Sequence, residues 1–370
     1  MPVPKSLIPV VVLNALVVVA IFVQPHFVLP LSMVALGASV SALISARQRA
    51  KAAASASPKS GGPAAPAAAL GDPSSSYEMR ERLATGSMGE VWLARHRTLG
   101  RDVALKRIKP GEIDPEDTQR FEREARVLSG LTSPHTVEVF DFGVMPSGEL
   151  FYAMELLDGI DLQTAVSKHG AFPPERVVYL LSQACASLKE AHDQGLVHRD
   201  VKPANFMTCH YGGEYDFLKV LDFGLVKKPV AADGDAGITR PAAVLGTAAY
   251  LAPESVKGSK FVDGRADLYA LGAVGFWLLT GRLVFDHDRA MPMIRAHISE
   301  PAPRSSSHSK FTIPPELDEL LLRCLAKDPN DRPANAGLLR RDLEAVPLPQ
   351  RWDQDRAAAW WNEHGNARSG

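Results

Sequence analysis

The sequence predicts an α+β fold preceded by a helical hairpin that crosses a membrane. Three observations carry this. The stretch around Val103-Ala-Leu-Lys106 reads as β-strand, and an amphipathic helix follows at 118–128, where Phe121, Ala125 and Leu128 fall on one face. Farther on, His210-Tyr-Gly-Gly-Glu-Tyr215 reads as an enlarged turn between two strands, because Gly-Gly is a hairpin signal, and a last helix spans 335–345. Near the N-terminus, residues 7–23 and 27–45 contain no charged side chain.

Those two stretches would span roughly 25 and 28 Å as helices rising ~1.5 Å per residue, close to the roughly 30 Å hydrocarbon core of a bilayer. Gln24-Pro-His26 is a tight connector between them. Lys5 precedes the first span, and Arg47, Arg49 and Lys51 follow the second. Basic flanks on both sides place both ends in the cytoplasm. Two other readings stand beside this one. One is a cleaved signal peptide with a small-residue site near Ala46, which a pair of spans fits poorly; the other is a buried hairpin of a soluble protein. Residues 52–76 hold 22 Ala, Ser, Pro or Gly among 25 positions. Such a composition cannot bury a core and reads as a flexible linker with a root-mean-square reach of roughly 25–30 Å.

The densest chemistry lies in His198-Arg-Asp-Val-Lys-Pro-Ala-Asn205 and, seventeen residues after Asn205, in Asp222-Phe-Gly224. The first segment supplies a carboxylate (Asp200), a cation (Lys202) and an amide (Asn205). The second supplies a carboxylate suited to holding Mg²⁺ against a nucleotide's phosphates. Phosphoryl transfer needs positioning and charge neutralisation, and these groups offer both. Upstream, Leu83-Ala-Thr-Gly-Ser-Met-Gly-Glu-Val91 places Gly86 and Gly89 where a backbone without Cβ atoms could approach phosphates. With Gly246-Thr-Ala-Ala-Tyr-Leu-Ala-Pro-Glu254, Asp263-Gly-Arg-Ala-Asp267 and Asp328-Pro-Asn-Asp-Arg332 following in order, about 270 residues of the chain resemble the eukaryotic-like serine/threonine protein kinases of bacteria.

The resemblance implies a two-lobed protein kinase fold, with an antiparallel β N-lobe plus helix C at 77–156, a mainly helical C-lobe at 157–346, and ATP in the cleft between them. Leu83, Ala84, Gly86, Gly89, Val91, Ala104 and Met207 would contact ATP, although Ala84 stands where the family has its first glycine. Lys106 would grip the α- and β-phosphates and pair with Glu124 of helix C. Met154 would be the gatekeeper, the backbones of Glu155 and Leu157 would meet the adenine edge, and Asp161 would reach the ribose. Asp200 would orient the substrate hydroxyl and accept its proton, Lys202 would steady the γ-phosphate, and Asn205 and Asp222 would hold Mg²⁺, for which Mn²⁺ could substitute. Thr247 would bridge Asp200 and Lys202, Glu254 would pair with Arg332, and Asp267 would anchor the backbone of the catalytic loop. Lys202, two residues after the catalytic aspartate, is the serine/threonine pattern.

Arg199 before Asp200 goes, in the family, with control by phosphorylation of the activation segment. Between Gly224 and Ala252 the only side-chain hydroxyls belong to Thr239, Thr247 and Tyr250. The resemblance puts Thr247 and Tyr250 in the segment that docks near the active site, with Thr247 required there unmodified, which leaves Thr239 as the candidate phosphosite, modified in trans by a second copy.

The net charge of −1 argues against binding nucleic acid through a general basic field. The widely spaced Cys185, Cys209 and Cys324 fit neither a zinc nor a disulfide framework and suit a reducing cytoplasm. Three of five tryptophans fall in the tail at 347–370, expected as a short helix packing on the C-lobe. The resulting expectation is a protein serine/threonine kinase tethered at a bacterial inner or plasma membrane. Its rival is a catalytically weak or dead pseudokinase that serves as a membrane scaffold.

Overall fold

Alternation of side chains along three strands separates two apolar faces and so decides where the charged groups of the smaller lobe go. In the computed structural model, which describes residues 76–86, 89–108, 115–145, 147–224, 246–256 and 262–365, β1 (Tyr77–Thr85), β2 (Gly89–His96), β3 (Asp102–Ile108), β4 (Val139–Val144) and β5 (Leu150–Glu155) form one antiparallel sheet in the order β1-β2-β3-β5-β4. Val103 and Leu105 join Tyr77, Ala94, Phe151 and Ala153 in a small cluster on one face. Ala104 and Ile108 turn to the other face, as do Tyr152 and Met154, and join the main core. The period of two therefore puts Lys106 on the side of Tyr152, its direct register partner across β3 and β5.

Helix α1 (Pro115–Ser129) covers that second face. Its expected apolar stripe is the buried one: Phe121, Ala125 and Leu128 all lie in the core, and Phe121 meets Phe142 of β4 edge-on. Burying Phe121 contributes roughly 1.5–3 kcal/mol. The stripe aims Glu124, one residue before Ala125, toward the cleft.

Beyond Glu155 the chain crosses into a larger lobe. A short sheet of β6 (Gly159–Asp161), β7 (Phe206–Tyr211) and β8 (Glu214–Val220) lines its upper edge. Helices α2 (Leu162–His169), α3 (Pro174–Asp193), α4 (Pro253–Val256), α5 (Arg265–Thr280), α6 (Ala290–Ser299), α7 (Pro315–Cys324) and α8 (Ala336–Glu344) make up the rest. Helix α5 is apolar all round and buried from Ala266 to Leu279, the pattern of a helix at the centre of a domain. A side chain at Gly272 would meet Cys324 Cβ at 2.6 Å, so α7 can lie against α5 only because that position is bare. The Gly-Gly turn at 212–213 joins β7 to β8 as expected. Among the described residues no helix is long and apolar enough to cross a membrane. The expected membrane hairpin, the linker at 52–75 and Thr239 lie outside the described residues.

The tail forms α9 (Gln354–His364), started by the Asp353 side chain, which accepts from Arg356 N. It docks on the larger lobe as expected, and it does so on a buried charge. Arg176 and Asp216 make a two-pronged ion pair with both side chains wholly buried. The indole N–H groups of Trp352 and Trp361 donate to the same carboxylate at 2.9 and 2.7 Å. The rings of Trp360 and Phe172 lie 3.7 and 4.0 Å from the guanidinium. Gln354 adds hydrogen bonds to both backbone groups of Tyr215.

A carboxylate buried this deeply is tolerable only while its donors are present. Asp216→Ala is therefore expected to destabilise the protein by about 3–5 kcal/mol, because it leaves Arg176 unpaired. Trp361→Phe keeps the ring and removes one donor to a charged acceptor, and should cost about 1.5–3 kcal/mol. Equilibrium denaturation midpoints of the two variants check both the order and the size.

Candidate active site

The catalytic loop is shaped by one carboxylate. Asp267, in the first turn of α5, accepts the backbone N–H of His198 at 2.8 Å, that of Arg199 at 2.9 Å, and His192 Nε2 at 2.8 Å. Burial alone would raise its carboxyl, but the bond and charge of His192 with the loop amides hold it below the usual carboxylate range. The loop meets these demands by taking Arg199 into the left-handed region, φ +61°. Such a conformation costs on the order of 1–3 kcal/mol and persists where the surroundings enforce it. The buried His198 ring then ties two chain segments together: Nδ1 accepts from Asp200 N, so Nε2 carries the proton that goes to Leu221 O at 2.9 Å.

Within this loop Asp200, Lys202 and Asn205 converge as expected. Lys202 Nζ lies 2.9 Å from Asp200 Oδ2. Asn205 Nδ2 donates to the Asp200 carbonyl at 2.8 Å and to its carboxylate at 3.1 Å. With its amide nitrogen so engaged, Asn205 keeps its oxygen for another partner. Thr247 lines a recess beside Asp200, Lys202, Arg199 and Tyr250. Glu254 and Arg332 form the expected pair, with two bonds of 2.6 and 2.8 Å around a fully buried guanidinium.

On the opposite wall Lys106 reaches Asp222 Oδ1 at 2.7 Å. Burial raises the Asp222 carboxyl, and the adjacent Lys106 charge more than offsets this, so it is held below its ordinary value. Like Arg199, Asp222 is left-handed, at φ +52°. The apolar residues assigned to the nucleotide are core positions or pack beside the core. Leu83, Ala104, Met154, Leu157 and Met207 belong to the main core cluster with Val91 against it, and Ala84 faces Val91 across β1 and β2. Gly86 N donates to Gly89 O at 2.8 Å and closes the turn. Gly89 has a further reason to be glycine, since a Cβ there would sit 1.9 Å from Arg107 O of β3.

Two expected contacts differ. Lys106 does not pair with Glu124. Glu124 faces Arg199 Nη1 instead, at 3.6 Å, and burial raises its carboxyl against the opposing Arg199 charge. Lys106 has two carboxylates to choose from and takes Asp222, the one within 2.7 Å. The second difference is Asp161, which is buried and caps α2: its oxygens accept Thr164 N at 2.8 Å and Thr164 Oγ1 at 2.7 Å. Burial pushes this carboxyl up to about 6, against those Thr164 bonds. Both carboxylate oxygens are thus engaged at the start of α2.

Two residues escaped the sequence reading. Tyr152 donates its hydroxyl to Asp222 Oδ1 at 2.5 Å. Lys219, buried in β8, pairs with Glu155 at 2.7 Å and so ties the strand before Asp222 to the crossing between lobes. Tyr152 reads as one more apolar position in Leu150-Phe-Tyr-Ala-Met154. For Lys219, only its place three residues before Asp222 was a signal.

The chain resembles known proteins over the region that contains these groups. The model of the protein kinase domain matches residues 77–343. Serine/threonine-protein kinase pkn3 of Myxococcus xanthus is 39% identical over 277 residues, which are 74% of this chain and 50% of that protein. Serine/threonine-protein kinase PknB of Mycolicibacterium smegmatis is 40% identical over 275 residues, 73% of this chain and 43% of its own length. The chain thus spans half or less of the length of these curated relatives. Among solved structures, the kinase domain of PknI from Mycobacterium tuberculosis superposes with a TM-score of 0.58 at 29% identity, covering 73% of this chain and 94% of that one. With the loop of Asp200 and the strand end of Asp222 arranged as described, these matches place the chain in the protein kinase family.

Proposed function

We propose that this protein is a membrane-tethered serine/threonine protein kinase that transfers the γ-phosphate of ATP to protein hydroxyls. The observation that carries the reading is the meeting of two sets of groups across one cleft. One set is Asp200, Lys202 and Asn205 on the C-lobe loop; the other is Lys106 and Asp222, joined to the first where Leu221 N, beside Asp222, donates to Asn205 O at 2.8 Å. The names of the relatives support the serine/threonine class.

The residues present fit Mg²⁺. Asp222 Oδ2 and the side-chain oxygen of Asn205 are hard donors with no protein hydrogen bond among the described residues. When bound, the metal neutralises charge developing on the transferred phosphoryl group. Asp200 orients the incoming hydroxyl and takes its proton. Lys202, already on the Asp200 carboxylate, offsets charge on the phosphoryl oxygens, and Lys106 holds the phosphates that stay behind. Lys106→Met should abolish autophosphorylation with the fold intact, and Asp200→Asn should lower the rate on the order of 10²–10⁴-fold. Radiolabel transfer to a generic protein substrate measures both. No transfer by the wild-type protein would favour the scaffold reading.

The arrangement of Lys106 and Glu124 gives regulation a physical handle. Arg199 holds Glu124 at 3.6 Å from a position about two-fifths exposed, and an ion pair so open to solvent is weak. A phosphate on Thr239, carrying about −1.5 to −2 charges, competes for Arg199 and frees Glu124 for Lys106. A second copy supplies that phosphate in trans, favoured by crowding in the membrane plane. Mass spectrometry of active protein should find phosphate on Thr239 and none in Lys106→Met, and Thr239→Ala should lose activity. Full activity in Thr239→Ala would sink this part of the reading.

Residues 7–23 and 27–45 supply the tether, and Lys5, Arg47, Arg49 and Lys51 support a cytoplasmic kinase domain. Full-length protein should fractionate with membranes and need detergent, whereas residues 77–370 should be soluble. Protease outside sealed cells should leave the kinase domain uncut. Digestion from outside refutes the orientation.

A further inference from the structure

Tyr152 touches the centre of the site, and no motif assigns it a role. Its hydroxyl and Lys106 Nζ donate to the same oxygen, Asp222 Oδ1, at 2.5 and 2.7 Å. The register of β3 and β5 sets the two donors side by side, and the Tyr152 side chain is buried in the core. Both bonds fall on Oδ1, so Oδ2 carries no protein donor among the described residues.

The acceptor is under backbone strain. Asp222 sits at φ +52°, and a non-glycine residue keeps such a conformation where its side chain is held from outside. Lys106 cannot be the constant holder, since phosphoryl transfer needs it on the nucleotide phosphates. Tyr152 is under no such demand. It is neutral and fixed in a central strand.

We propose that Tyr152 is a positioning residue for phosphoryl transfer. Its hydroxyl keeps Asp222 turned into the cleft, with Oδ2 left for the metal, while Lys106 leaves Asp222 for the nucleotide. The inference rests on the reading of Asp222 as a Mg²⁺ ligand.

Tyr152→Phe keeps the ring in the core and removes the donor. Two backbone bonds flank Asp222 and report on it without metal: Leu221 N to Asn205 O and Gly224 N to His198 O, both 2.8 Å. In the full-length variant, free of metal and nucleotide, exchange of the Gly224 amide should quicken by about tenfold while amides of α5 keep their protection. The change should be larger in a Lys106→Met background, where Tyr152 is the last donor on Oδ1. The Mg²⁺ concentration for half-maximal turnover should rise by about tenfold, the lower end for losing a partner of a metal ligand. Affinity for metal-free ADP should not move. A purely structural role would lower the unfolding midpoint and leave the Mg²⁺ titration in place. Unchanged Gly224 exchange together with an unchanged Mg²⁺ titration overturns the proposal, as does tighter Mg²⁺ binding, which would make Tyr152 a competitor of the metal. Asp222→Asn, measured alongside, separates the two readings. If it keeps wild-type turnover and Mg²⁺ dependence, the ligand reading of Asp222 fails. If it is inactive while Tyr152→Phe matches wild type in both readouts, only Tyr152 is misread.

Discussion

A buried carboxylate that must be satisfied organises this protein. Asp267 lies at the start of the central helix with no water to turn to, and its demand is met by two backbone N–H groups and one imidazole. Because two of its partners are main-chain groups, the constraint falls on the path of the chain. It bends the loop at Arg199, fixes the His198 ring, and through that ring binds Asp200 N and Leu221 O into one hydrogen-bonded unit. The backbones that carry Asp200 and Asp222 are therefore spaced within the larger lobe. The smaller lobe adds Lys106 and Tyr152 from a sheet whose alternation aims both at the same oxygen.

Such a division has an energetic logic. The contacts that set distances inside the larger lobe are buried, hydrogen-bonded and costly to break: Asp267 with its donors, and Glu254 with Arg332. The contacts that join the lobes near the cleft are more open. Lys106 on Asp222 and Glu124 near Arg199 involve side chains with solvent beside them. Charges in such places exchange partners at small cost. Rigidity is thus concentrated where geometry must be kept, and exchangeable ion pairs where partners must change.

What the sequence revealed follows the same line. The two-lobed kinase fold, the amphipathic face of α1, the enlarged turn before β8, the docking of the tail and the convergence of Asp200, Lys202 and Asn205 all follow from local patterns and motif order. Residues that answer to a near neighbour were legible in this way. The partner that Lys106 takes here was not legible for a different reason. The lysine's own identity was readable, but its choice between Glu124 and Asp222 depends on a difference of ångströms between lobes. The capping role of Asp161 was missed, although a residue just ahead of a helix serves that helix first and Thr164 offers both of its donors. Tyr152 was missed because a tyrosine in an apolar strand reads as core, and its hydroxyl finds a partner 70 residues away.

The tail carries a consequence for the order in which the molecule can be completed. Trp352 and Trp361 follow their acceptor, Asp216, by 136 and 145 positions. During vectorial synthesis α3 and β8 leave the ribosome long before either indole exists. Until α9 emerges, the Asp216 carboxylate has half its side-chain donors, and one face of the Arg176 guanidinium has no ring against it. The family match ends at residue 343, ahead of both tryptophans. A nascent chain at that boundary has made Lys106, Asp200, Lys202, Asn205 and Asp222 and has not closed the lobe that spaces them. The helix that completes the Asp216 cluster is thus made after the matched domain.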